Sequence, residues 1–136
     1  MTALHVVARV GGEQYGVPVE DVLEVADAGE IVPVPGSGPA LLGVRNLRGQ
    51  VLPVVDLAAV LGLPRTATPG RVVVVADGGR AAGLGVDSVK GVEPLPEGGE
   101  EADSPHLTAA AVVDSALIGL VNVTSVLDAA GGAHAP

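Results

Sequence analysis

An all-β barrel or sandwich of about ten short strands with two or three helical turns is the fold this sequence predicts, on three observations. Apolar residues make up 48% of the chain, yet Tyr15 is the only aromatic, so the core is built from Val, Leu, Ile and Ala. Val is the recurrent choice, and β-branched side chains suit a pleated, half-buried surface. Twenty Gly and eleven Pro are spread along the chain, which supplies the turns that many short strands need. The apolar runs are separated by stretches too short for crossover helices, which excludes a parallel α/β sheet. With 136 residues, the chain is one domain by length. No repeat and no low-complexity block stands out.

Leu4–Val10 and Gln14–Val19 read as a hairpin turned at Gly11-Gly12, with Pro18 at a strand end or edge because it has no N–H to donate. Glu20–Val25 fits either a single helical turn or an extended segment. Ile31–Pro39 is held extended or turning by its prolines and glycines. Leu41–Leu47 and Gln50–Val55 form a central pair of strands reversed at Arg48-Gly49, and Asp56 is placed to cap a short helix over Leu57–Leu61, ended by Gly62. The polar stretch Pro64–Gly70 is the expected seam between halves. Arg71–Ala76 is apolar at both parities, so it is expected to be buried on both faces; Asp77-Gly78-Gly79 turns it onto Arg80–Val86. Val89–Leu95 follows as a strand, then an acidic loop over Pro96–Pro105 bearing Glu97, Glu100, Glu101 and Asp103. His106–Val113 and Ala116–Val121 make the last hairpin, turned at Asp114-Ser115. Asn122–Ala129 is a terminal helical turn capped by Asn122 or Thr124, and Ala130–Pro136 is expected to fray.

A net charge of −9 with scattered basic residues argues against nucleic acid and against anionic membrane surfaces. Without Cys, disulfides and thiolate metal sites are excluded. The start lacks a leader pattern and no apolar run approaches the ~20 residues of a membrane span, so no membrane insertion and a cytoplasmic location are expected. Chemistry is hard to find. His5, His106 and His134 share no ligand spacing, so no metal is expected. Gly78–Gly85 lacks the Lys of a phosphate loop and does not fit GxGxxG, so no nucleotide or other cofactor is expected. Asp56 and Asp87 each follow an apolar strand, as in a carboxylate pair, but neither precedes Thr-Gly or Ser-Gly, and capping or turn roles fit them better. Arg48 is different: it stands in a tight reversal between largely apolar strands, where it either pairs with Glu24 to pin the turn, or recognises a partner, or both.

The stretches EQYGVPVEDVLEV (Glu13–Val25), VPVPGSGPALLGVRNLRGQVLPVVDL (Val32–Leu57), RVVVVADGGRAAGLGVDSVKGV (Arg71–Val92) and LIGLVNVTSVL (Leu117–Leu127) keep the order of a known family and cover nearly the whole chain. The sequence resembles the CheW-like domain of bacterial chemotaxis coupling proteins. The resemblance implies a single domain over 1–136 made of two small five-stranded SH3-like β-barrels that share an apolar core. It also implies a non-catalytic adaptor between chemoreceptor (methyl-accepting chemotaxis protein) cytoplasmic tips and the regulatory domain of a CheA-type histidine kinase. Carried over by motif, the protein-binding residues are Glu24, Asn46, Leu47, Arg48 and Gly49, with Val22 and Val86 as apolar groove candidates. The sequence departs from the family in the short acidic linker 96–105, in His106 where an aromatic is common and in Ala109 where a glycine often sits, all placed in the second barrel. Two other readings stand beside this one: a coupler in a pilus-motility or developmental array, and a small enzyme using Asp56 and Asp87 in one cleft.

Overall fold

The computed structural model describes residues 1–64 and 68–131. Ten strands follow one another as β1 (Thr2–Val10), β2 (Glu13–Pro18), β3 (Val22–Asp27), β4 (Leu41–Leu47), β5 (Gln50–Asp56), β6 (Arg71–Asp77), β7 (Arg80–Val86), β8 (Ser88–Pro96), β9 (Leu107–Val113) and β10 (Ala116–Val121). Helix α1 (Leu57–Val60) follows β5, and α2 (Val123–Gly131) follows β10. The strands form two five-stranded sheets, ordered β8-β1-β2-β10-β9 and β3-β6-β7-β5-β4. We call the first the terminal barrel, because it holds the first and last strands, and the second the central barrel. None of the described helices is long and apolar enough to cross a membrane.

Each sheet closes through the chain that leaves its outer strand. Beyond β3, Val32 meets the free edge of β4 and exchanges both backbone hydrogen bonds with Val44, at 2.8 and 2.9 Å. Beyond β8, Glu100 does the same with Ala110 of β9, both bonds at 2.8 Å. Closure of this kind leaves no long edge to template another strand.

The all-β expectation holds, and several details differ from it. Val19–Asp21 forms one turn of 3-10 helix and Val22 then opens β3, so the open segment Glu20–Val25 is a turn followed by a strand. Asp56 stands at the start of α1 but its carboxylate makes no capping bond. Asn122 does cap: its Oδ1 accepts the Ser125 N–H at 3.1 Å. Ala130 is buried inside α2, so fraying does not begin there; the expectation for 132–136 lies outside the described residues.

The stretch Pro64–Gly70, of which residues 65–67 lie outside the described set, is not the boundary between barrels. It joins α1 to β6, and β5 and β6 both belong to the central barrel. The chain crosses between barrels at Val19–Asp21 and again at Asp87, so the 96–113 segment belongs to the same barrel as β1 and β2.

A repeat is present, contrary to the sequence reading. Adding five to every strand number converts one sheet order into the other: β1 corresponds to β6, β2 to β7, β3 to β8, β4 to β9 and β5 to β10. Both sheets contain the same parallel pair in equivalent places, β10 on β2 and β5 on β7. The sequence follows suit, with Gly16–Val25 (GVPVEDVLEV) matching Gly83–Val92 (GLGVDSVKGV), and Leu41–Leu61 lining up without a gap on Leu107–Leu127. Each barrel therefore takes two strands from one repeat and three from the other.

The largest buried cluster lies between the barrels. Val6, Ala8 and Val17 of the terminal barrel meet Val73, Leu84 and Val86 of the central one, under Leu57 of α1 and Val126 of α2. Smaller clusters fill each barrel: Val7, Leu95 and Ile118 in one, Leu52, Val54 and Val72 in the other. Alternate residues of β6 explain its uninterrupted apolar run. Val73 and Val75 face the shared core, while Val72 and Val74 face the barrel interior.

Candidate functional site

The two-residue turn between β4 and β5 is built from Arg48 at φ 53° and Gly49 at φ 81°. Positive φ at both central residues is the hairpin turn whose twist matches the flanking strands, and Asn or Gly is the usual choice for its first position. Asn46 supports it, its Oδ1 accepting the Gly49 N–H at 3.0 Å. Arg48 is thus a residue with a β-carbon held where one is disfavoured. Its Nη1 donates to Glu24 Oε2 on β3, while the Arg48 side chain stays 74% exposed and that of Glu24 28% exposed. The pair spans from the β4–β5 tip to the outer strand on the far side of the same sheet. Arg45 crosses the same gap, its Nε donating to the Ala28 carbonyl at 2.8 Å.

Five of the seven motif-derived residues lie at or beside this seam: Glu24, Asn46, Arg48 and Gly49 are joined by the hydrogen bonds above, and Leu47 adjoins the turn. Val22, half-buried at the start of β3, packs against the core shared by the barrels. Val86 is not a surface residue: it is 1% exposed, within the core shared by the barrels. The Val86 expectation of an apolar groove contact is corrected to a packing role. It stands at the inner face of β7 because that strand sits in the middle of its sheet.

Sequence reading missed Arg45, which clasps the seam, and two exposed apolar side chains, Leu23 on β3 and Val51 opposite Asn46 on β5. Val51 had a readable signal. It shares the outward parity with Pro53, while Leu52 and Val54 point into the barrel. An apolar residue on the solvent face beside a recognition turn is a common mark of a contact surface.

Asp56 and Asp87 do not lie on opposite barrels. Asp56 pairs with Gly85 across the parallel β5–β7 ladder, two residues before Asp87. Their environments differ, however. Asp56 is buried, whereas Asp87 Oδ2 accepts the Gly11 N–H of the β1–β2 turn at 2.9 Å and so ties the terminal barrel to the crossover. His106, at the atypical second-repeat position, places Nδ1 2.6 Å from Ser125 Oγ, which links the start of β9 to α2.

Arg80 bridges Asp77 and Asp128 at 2.7 Å each, and its hydrogen bond holds the Asp77 carboxyl below the usual range. Asp21 moves the other way: partial burial first, then the Glu20 and Asp77 carboxylates, push it above its ordinary value. A carboxyl whose pKa is raised by folding subtracts stability when ionised, and that loss vanishes as pH falls through the folded pKa. Asp21→Asn is therefore expected to raise stability at pH 7, by less than about 1 kcal/mol at a partly exposed site. At pH 3 the two proteins should melt together, and an equal gain at both pH values would contradict the assignment.

Comparison with known proteins places this geometry. The CheW-like domain model matches residues 5–131. The probable chemotaxis protein CheW of Rhizobium etli is 32% identical over 125 residues, covering 85% of this chain and 81% of that protein. Protein FrzA of Myxococcus xanthus is 41% identical over 90 residues; that match covers 65% of this chain and only 56% of FrzA. Among solved structures, the scaffolding protein TtCheW from Thermoanaerobacter tengcongensis aligns with a TM-score of 0.80 at 30% identity, covering 90% of this chain and 86% of that one. The chain belongs to the CheW-like domain family.

Proposed function

We propose that this chain is a non-catalytic adaptor of bacterial chemotaxis that works as one domain in the cytoplasm. It joins the cytoplasmic tip of a chemoreceptor to the regulatory domain of a CheA-type histidine kinase. Relatives named as chemotaxis proteins and a solved relative titled a scaffolding protein support the reading. The contact surface would consist of Val22, Glu24, Asn46, Leu47, Arg48 and Gly49. One observation carries it: Arg48 occupies a left-handed turn position that Asn or Gly fills at lower cost, with most of its side chain open to solvent. An exposed ion pair contributes only about 0–1 kcal/mol, so pinning the turn is a weak reason to keep Arg there. Strain retained at an exposed residue points to recognition.

Arg48→Asn separates the two roles. Asn-Gly is the preferred pair for this turn, which offsets the lost Glu24 contact, so stability is expected to stay within about 1 kcal/mol. Affinity for the regulatory domain of a histidine kinase from the same genome, measured by calorimetry, is expected to fall at least ~30-fold, the scale of a truncated Arg hot spot. Unchanged affinity would sink the recognition role.

A second reading keeps the mechanism and changes the pathway. FrzA, and the protein PilI of Pseudomonas aeruginosa at 36% identity over 104 residues, are both similar to this chain, which spans 56% and 58% of their lengths. Coupling in a pilus-motility or developmental array predicts the same Arg48 dependence with a different kinase.

A further inference from the structure

The repeat places the same kind of cleft on both barrels, and the two have diverged. In the central barrel a cleft of about 530 Å³ lies between the β4–β5 and β6–β7 hairpins and α2, lined by Leu41, Val44, Pro53, Ala82 and Leu127. Its one charged lining residue, Arg80, is already neutralised by Asp77 and Asp128. In the terminal barrel the equivalent positions, Leu107, Ala110, Gly119, Tyr15 and Leu61, line a second cleft of about 360 Å³. Glu13 stands there where Arg80 stands in the other, and Glu101 and Asp103 add two more carboxylates. None of the three has a salt-bridge partner among the described residues. Gln14, on the same wall, has its Oε1 shut off from solvent and accepting no hydrogen bond.

We propose that the terminal-barrel cleft docks a cationic segment of a partner protein, with Lys or Arg heads on Glu13, Glu101 and Asp103 and an aliphatic side chain on Leu63 and Leu107. Two observations select this occupant. The carboxylates, without an ion-pair partner among the described residues, call for positive charge, and the apolar floor between them calls for a short aliphatic anchor. The apolar central cleft offers no such carboxylates to a cation, so one fold would give one chain two unlike surfaces. The inference goes beyond the adaptor reading and its test needs neither kinase nor receptor.

The test is a titration of ¹⁵N-labelled chain with the peptide acetyl-Lys-Leu-Arg-Lys-Leu-Arg-amide, followed by amide shifts. Saturable shifts are expected at the Gln14 side-chain amide and at Leu63, Glu101 and Leu107, weakening as salt is raised. E101K/D103K should reduce affinity about tenfold or more, whereas D27K/E30K, the same change in net charge on the central-barrel side, should leave it within about twofold. Equal losses in the two double variants would show only general attraction to an acidic protein and overturn the proposal. So would shifts centred elsewhere, or no saturable shift at millimolar peptide.

Discussion

Leu84→Ala is expected to cost about 2–5 kcal/mol and to loosen both barrels together. Leu84 is fully buried in β7, the middle strand of the central barrel, and its side chain faces the cluster shared with Val6, Ala8 and Val17 of the terminal barrel. Deleting its branched end removes transfer free energy and leaves a cavity that surrounding Val side chains, stiff at χ1, fill poorly. A domain of this size is stable by only about 5–15 kcal/mol, so the variant stands near the edge of folding at 37 °C. The topology makes the loss a joint one. Strands β1 and β2 cannot close their barrel without β8 to β10, and these arrive only after the central barrel has been threaded. Urea unfolding followed by residue-resolved hydrogen exchange checks this. Amides of β1 and β10 are expected to lose protection in step with those of β6 and β7. Full protection in the terminal barrel with loss confined to the central one would mean two independent units and would contradict a single folding domain.

Much of this was legible in the residues, for physical reasons that can be named. The apolar run Val72–Val75 announced a strand buried on both faces, because burial on one face would have left alternate polar residues. Arg48-Gly49 announced its turn, because a two-residue reversal between apolar strands needs positive φ. Other features could not be read locally. Glycines, prolines and valines recur everywhere in this chain, so the match of GVPVEDVLEV to GLGVDSVKGV hides in the composition until strand order shows that the two segments occupy equivalent places. Strand exchange is invisible for the same reason: the sequence sets which residues form β3 but not which sheet receives it. Val86 reads as a groove residue by motif, and only its position at the inner face of β7 reveals that no partner can reach it. Asp56 has the right letter for a helix cap and stands at the cap position in extended backbone, but its carboxylate makes no capping bond.

Gly43→Ala is expected to be among the most damaging single-methyl changes in the chain, at about 3 kcal/mol or more, because steric clash adds to backbone strain. Gly43 has φ 151°, and a β-carbon there would sit 2.2 Å from the Val32 carbonyl oxygen and 3.0 Å from Pro33 Cα. Those atoms are backbone and belong to the strand pair that closes the central barrel, so they cannot yield without breaking the Val32–Val44 hydrogen bonds. Gly49→Ala is the control. Gly49 also has positive φ, but a β-carbon there meets nothing within 4 Å, so that variant should lose only about 1–2 kcal/mol, the cost of the left-handed conformation alone. The difference between the two, read as a shift in urea midpoint at constant slope, isolates the closure contact. In the proposed adaptor role, binding draws on the same contact. Closure holds Glu24 of β3 beside Arg48 of the β4–β5 turn, so Gly43→Ala is expected to weaken kinase-domain binding even at temperatures where the chain remains folded. If affinity survives while the midpoint drops, the Arg48 tip recognises its partner without help from the closed seam, and the Glu24 pair is an onlooker to binding.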